Sequence, residues 1–208
     1  MTTAEMVTRV RSLLDEREAG FWSDAEVLDA LNDGQDEVVN YCLFVFAEGG
    51  VEGELPLLLT PLETEQTIEP VTAADIALPS GFMYLLSVKC APTSGALLKP
   101  CMIRSTSMAR YSREHNRFLK PDGANLYAFL RGGKLVFEVP PINGRVVINY
   151  LRKGSRISEE QNCELPDNAS GAIISYAAAL LLEKDKQNEE AGRFFGMFTN
   201  KIELLSQL

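Results

Sequence analysis

Chemistry in a folded chain needs a proton carrier, a nucleophile or a set of metal ligands. The 208-residue chain has one histidine, His115, in the polar stretch Ser112-Arg113-Glu114-His115-Asn116. A single imidazole excludes multi-histidine zinc sites and HExxH, where two histidines one helical turn apart grip the metal. A serine or cysteine meeting His115 in space would make a hydrolase, but the polar neighbours fit a surface or interface histidine better. Cys42, Cys90, Cys101 and Cys163 form no CxxC pair and no metal-like spacing. They read as reduced thiols of a cytosolic protein. GxSxG, GxxxxGK(S/T) and GxGxxG are absent. The expectation is no catalytic residue, no metal site, no cofactor and no enzyme.

What remains is charge and apolar surface. The net charge of −9 is unevenly placed: residues 1–54 hold thirteen acids and three bases, and residues 55–166 hold ten acids and thirteen bases. The acidity belongs to the N-terminal end and argues against nucleic-acid binding there. At 100° per residue, Glu26, Asp29, Asp33, Asp36 and Glu37 fall on one arc of a helix, opposite Val27, Leu28, Leu31, Val38, Val39, Cys42 and Phe46. Such a stripe is a solvated face, a surface that meets a basic neighbour, or the lining of an acidic channel. The reverse pattern occupies residues 104–120, where Arg104, Arg110, Arg113, Arg117 and Lys120 face Glu114 alone. That segment could meet phosphate, or the acidic helix of a neighbouring copy, or only water.

The elements that would position these residues are readable. Met6, Val10, Leu13 and Leu14 recur at helical spacing, which predicts a helix from Thr3 to Arg17, broken by Gly20. Ser23-Asp24-Ala25-Glu26 is a capping box opening a second helix to about Phe46, with Phe21 or Trp22 as its staple. Prolines then recur, and short apolar runs predict strands at Leu57–Leu59, Glu65–Pro70, Met83–Cys90, Leu126–Arg131, Lys134–Val139 and Arg145–Leu151. Gly132-Gly133 marks a hairpin and Pro141-Ile142-Asn143-Gly144 a second turn, so the last three strands are expected to form an antiparallel meander. A helix is expected at Ser105–Leu119. Two helices close the chain, Pro166 to Glu183 and from Asn188 onward. No run is long and apolar enough for a membrane span. The fold class is α+β: N- and C-terminal helices (residues 1–54 and 166–208) forming one helical bundle, with a mostly antiparallel β-rich insertion (residues 55–165).

The opening helix-turn-helix, Met6 to Glu16 followed by Phe21-Trp22-Ser23-Asp24-Ala25-Glu26-Val27-Leu28-Asp29-Ala30-Leu31-Asn32, resembles the N-terminus of tailed-bacteriophage head-to-tail adaptor (connector, neck) proteins. Leu78-Pro79-Ser80-Gly81-Phe82 entering a strand, Val146-Val147-Ile148-Asn149-Tyr150, and Leu165-Pro166-Asp167-Asn168 leading into Ile174–Asp185 are similar to the same family. Order and spacing cover nearly the whole chain. The resemblance implies a virion structural protein at the head–tail junction, assembled in the host cytoplasm. It implies a ring of twelve copies under the portal protein, extending the DNA channel and giving a platform to a downstream neck, tail or nozzle protein. Genomic DNA would pass without sequence-specific binding, and no membrane is involved. In that family the C-terminal segment docks on the portal; here it would be Phe194, Phe195, Phe198, Ile202, Leu205 and Leu208, a stripe that core packing also explains. The acidic stripe would then face the lumen or a neighbouring subunit. A DNA-contacting neck or tail-completion protein, using the basic residues of 104–120, is the alternative.

Overall fold

The computed structural model describes residues 1–16, 20–48, 55–93, 95–104 and 126–206. The chain divides into two compact units, residues 1–62 with 153–208, and residues 63–152.

The first unit is helical. Its elements are α1 (Thr3–Leu13), α2 (Asp24–Glu48), α3 (Ser170–Lys184) and α4 (Asn188–Ser206). Two capping boxes begin it. Thr2 and Glu5 exchange bonds at the start of α1. Ser23 and Glu26 do the same at α2, with Ser23 N donating to Glu26 Oε2 at 3.0 Å and Glu26 N to Ser23 Oγ at 3.3 Å. Each box satisfies amide donors that the first turn leaves open. α3 is the central helix. It buries Ala172, Ile173, Ile174, Ala177, Ala178, Ala179, Leu181 and Leu182 nearly all round, as a helix enclosed by partners must. α1, α2 and α4 all pack against it, so the two chain ends share one core.

That packing is close at Gly34, where α2 meets α3. A Cβ on Gly34 would lie 2.8 Å from the Ile173 carbonyl oxygen and 3.3 Å from its Cγ2. Gly34→Ala gains about 1 kcal/mol of helix propensity but forces two backbones apart, which costs about 1–3 kcal/mol. Chemical denaturation is expected to show a net loss of up to about 2 kcal/mol.

α1 ends at Leu13, four residues before the expected stop. Asp15, at φ 54°, turns the chain in the left-handed region, leaving Leu14 half-buried and Leu13 exposed. Residues 57–59 do not form a strand. Leu59 N donates to Pro56 O, a 3₁₀ turn follows at Thr60–Leu62, and Leu58, Leu59 and Leu62 are buried in the helical unit. An apolar run of three fits either conformation, and Pro56 and Pro61 withhold the donors a ladder needs.

Among its described residues the second unit holds eight strands: β1 (Glu63–Ile68), β2 (Asp75–Ala77), β3 (Phe82–Ala91), β4 (Lys99–Pro100), β5 (Met102–Ile103), β6 (Tyr127–Arg131), β7 (Lys134–Phe137) and β8 (Arg145–Arg152). They form two four-stranded sheets, ordered β1-β8-β3-β4 and β2-β7-β6-β5, in which β5–β6 is parallel and the other described pairings are antiparallel. One core joins the sheets: Val88, Cys90, Val146 and Ile148 from the first, Ala128, Leu135 and Phe137 from the second. The hairpin is as expected, with Gly132 and Gly133 at φ 56° and 72° and Arg131 opposite Lys134. The meander is not. β8 leaves β7 and inserts between β1 and β3 of the other sheet. Pro140 and Pro141 withhold two consecutive amides, so the ladder cannot continue. The burial of β8 on both faces, with Val146, Val147, Ile148, Tyr150 and Leu151 all covered, demands a central position. The helix expected at 105–119 lies outside the described residues.

Candidate assembly surfaces

The face of α2 that carries the acidic stripe is largely occupied from within the helical unit. Glu26 meets Lys184 at 2.7 Å, Asp29 meets Arg156 at 2.7 Å, and Asp36 meets Lys153 at 2.6 Å. Glu26 and Asp36 are half-buried, while Asp29 and Asp33 are exposed and Glu37 half-buried. Asp33 and Glu37 make no ion pair among the described residues. They lie close enough to Tyr176 on α3 to add to the burial that raises its phenol pKa. Two amides missed by the sequence reading anchor residues 153–165 along this helix. Asn32 Nδ2 donates to Ile157 O at 3.0 Å and its Oδ1 accepts from Ile157 N at 2.8 Å, a closed two-bond pairing. Gln35 Nε2 donates to Ser155 O at 2.9 Å, and the Cys163 thiol donates to Gln35 Oε1. Both amides are buried, at 8% and 2% exposure.

The Lys184 contact, followed by bonds from the Ser23 amide and hydroxyl, holds Glu26 down to about 2 from an ordinary 4.5. A carboxyl depressed in the folded state stabilises above its unfolded pKa, and that stability fades as pH falls through the folded value. The thermal midpoint is expected to be flat above about pH 5 and to drop between pH 4.5 and about 2. Lys184→Met should lower the plateau and flatten this segment of the profile. A profile unchanged by the substitution would refute the coupling.

A second polar centre ties α1 to α2. Arg11, 8% exposed, donates from Nη1 to Glu16 Oε2 at 2.8 Å, and from Nη2 to Asp24 Oδ1 at 2.6 Å and Trp22 O at 3.0 Å. Glu16 Oε1 also accepts the backbone amides of Gly20, Phe21 and Trp22. Burial alone would push the Glu16 carboxyl up, but those amides and Arg11 hold it below its usual value. Of the two staple candidates, Trp22 is buried at 7% exposure and Phe21 stands out at 69%.

The C-terminal stripe divides. Phe198, Ile202 and Leu205 are buried between α4 and its neighbours, and Phe194 and Phe195 are half-buried. Tyr176 takes Phe195 and Phe198 edge-on, with centroids 5.6 and 4.9 Å away. The apolar side chains that α4 leaves in water are Met197 and Leu204, at 42% and 68% exposure. Leu208 lies outside the described residues. Of the basic candidates, Arg104 is engaged inside the β unit: its guanidinium sits 3.2 Å from the Tyr127 ring centroid, and Nη1 is 4.0 Å from the buried Glu138. Arg110, Arg113, Arg117, Lys120 and His115 lie outside the described residues.

Among the described residues, no three His, Cys, Asp or Glu side chains gather where a metal could sit. Burial pushes the Cys42 thiol up to about 11, and a neighbouring Cys90 together with burial raises Cys101. These thiols are therefore held in the unreactive form. No helix of the described residues is long and apolar enough to cross a membrane.

The described residues thus form a bundle knit from both chain ends and a two-sheet insertion between them. The family model of the SU10 adaptor protein matches residues 1–208, and the chain belongs to that family of phage adaptors. It is a structural component of the virion's head–tail region and associates with other head and tail proteins. A comparison with curated proteins gives no match.

Proposed function

We propose that this adaptor forms a closed ring of twelve copies under the portal protein, extends the DNA channel and seats the next neck or tail protein. The observation that carries the reading is the family match over the whole chain, together with the apolar side chains Met197 and Leu204 that α4 leaves in water. In this reading Phe198, Ile202 and Leu205 fix α4 to the bundle. The half-buried Phe194 and Phe195, with Met197 and Leu204, meet the portal. Asp33 and Glu37, the part of the acidic stripe without an ion-pair partner among the described residues, are the residues left to repel DNA phosphate. Assembly takes place in the host cytoplasm, and binding rather than catalysis is the mechanism.

Retention on an immobilised portal tests this. The wild-type chain is expected to be held. Met197→Asp with Leu204→Asp, which touches no buried position, is expected to weaken retention at least tenfold while leaving the thermal midpoint within a few degrees. Equal retention of the variant would remove α4 from the portal contact, and no retention of the wild type would remove the portal as partner.

A further inference from the structure

Residues 13–16 and 20–22, between α1 and α2, and the turn joining α3 to α4 border a cleft of about 520 Å³. Leu14, Trp22 and Leu182 line it, and Leu13 and Phe21 stand at its mouth with 38% and 69% of their surface in water. Its rim is acidic: Asp15, Glu16, Asp185 and Glu190. Glu16 is matched by Arg11, and the nearby Lys184 is committed to Glu26. Asp15 and Glu190 have no ion-pair partner among the described residues, and Asp185 accepts only an amide from Gln187. A cleft with an apolar floor and, among the described residues, three rim acids without a matched cation selects a segment that mixes apolar and basic side chains.

The chain itself supplies one. Besides Arg104, which is engaged inside the β unit, residues 104–120 carry four bases and one acid, with Met108, Tyr111, Phe118 and Leu119 spaced among them. The charge split along the chain, acidic in residues 1–54 and basic in 55–166, suits a head-to-tail contact in which each copy offers both halves. We propose that the cleft is the acceptor for the 104–120 segment of a second copy, and that this pairing is the repeating contact between subunits. The inference rests on the ring reading and names the surfaces that close it.

Trp22 is the one tryptophan in the chain and it lines the cleft, so its emission reports occupancy. A synthetic peptide of residues 104–120, which contains no tryptophan, is titrated into the full chain. The expected result is a saturable change in emission, with affinity at least tenfold weaker in about 500 mM than in about 50 mM salt. The triple variant Asp15→Lys, Asp185→Lys, Glu190→Lys should abolish it. In the full chain, that triple variant and the reversal Arg110→Glu, Arg113→Glu, Arg117→Glu should each prevent self-association beside the portal. A chain carrying both reversals should recover it, since complementarity is restored; this recovery also separates a lost contact from a lost fold. No emission change, binding indifferent to the acidic triple, or rings unaffected by either reversal would overturn the proposal. Rings that survive both reversals would leave the adaptor reading intact. A peptide that binds a chain which never self-associates would assign the cleft to a different basic protein and overturn it too.

Discussion

Asn32→Leu is expected to destabilise the helical unit by about 3–5 kcal/mol in urea or guanidinium unfolding. Leucine matches asparagine in shape, so little packing is lost. The cost comes from the backbone of Ile157, whose N–H and C=O both pair with the Asn32 amide, at 2.8 and 3.0 Å. Ile157 is buried at 2% exposure, so water cannot replace those bonds without opening the strap formed by residues 153–165. A buried donor or acceptor left unmet costs about 1–3 kcal/mol, and here there are two. A domain is typically stable by about 5–15 kcal/mol, so the change removes a large share. A loss below about 1 kcal/mol would show that the strap relaxes into solvent and that Asn32 is not its anchor.

Arg11→Met is expected to cost about 2–3 kcal/mol and to shift Trp22 emission to longer wavelength. Breaking a buried ion pair from one side costs about 3–5 kcal/mol, because the partner is left charged and unmatched. Two features reduce that figure. Asp24 is 61% exposed and rehydrates, and Glu16 keeps three backbone amides. What cannot be recovered is the bond to the Trp22 carbonyl, which fixes the entry to α2. Adding Glu16→Gln to Arg11→Met should return part of the loss, since the orphaned charge is then removed. Strict additivity of the two substitutions would mean that the pair is not coupled.

These two residues show where sequence reading stops. The Ser23–Glu26 capping box and the 3.6-residue period placed the four described helices, because both signals are local. Asn32 and Gln35, three residues apart, extend the buried face of α2 with amides instead of methyls. That pattern was available, but in a helix rich in acids it reads as solvent-facing. The partners are the difficulty: Ile157 is 125 residues from Asn32 and Arg156 is 127 from Asp29. Nothing local marks residues 153–165 as the cover of α2, so a stripe that looked free is mostly matched. The β unit follows the same rule. The Gly-Gly hairpin was legible, whereas the placement of β8 depends on which sheet has room for a strand covered on both faces. β2, β4 and β5, at two or three residues each, are too short to carry a period. Of the candidate surfaces, the C-terminal stripe was legible as apolar, but only the fold divides it into buried Phe198, Ile202 and Leu205 and exposed Met197 and Leu204.

The central claim is that the molecule acts by assembling into a ring on another protein. Negative-stain imaging of the purified chain, alone and mixed with its portal, tests it most directly. End-on views of the mixture are expected to show a closed ring of subunits stacked coaxially on the portal, with an open axial channel. Particles of bare portal beside unassociated monomers, at concentrations well above micromolar, would contradict it.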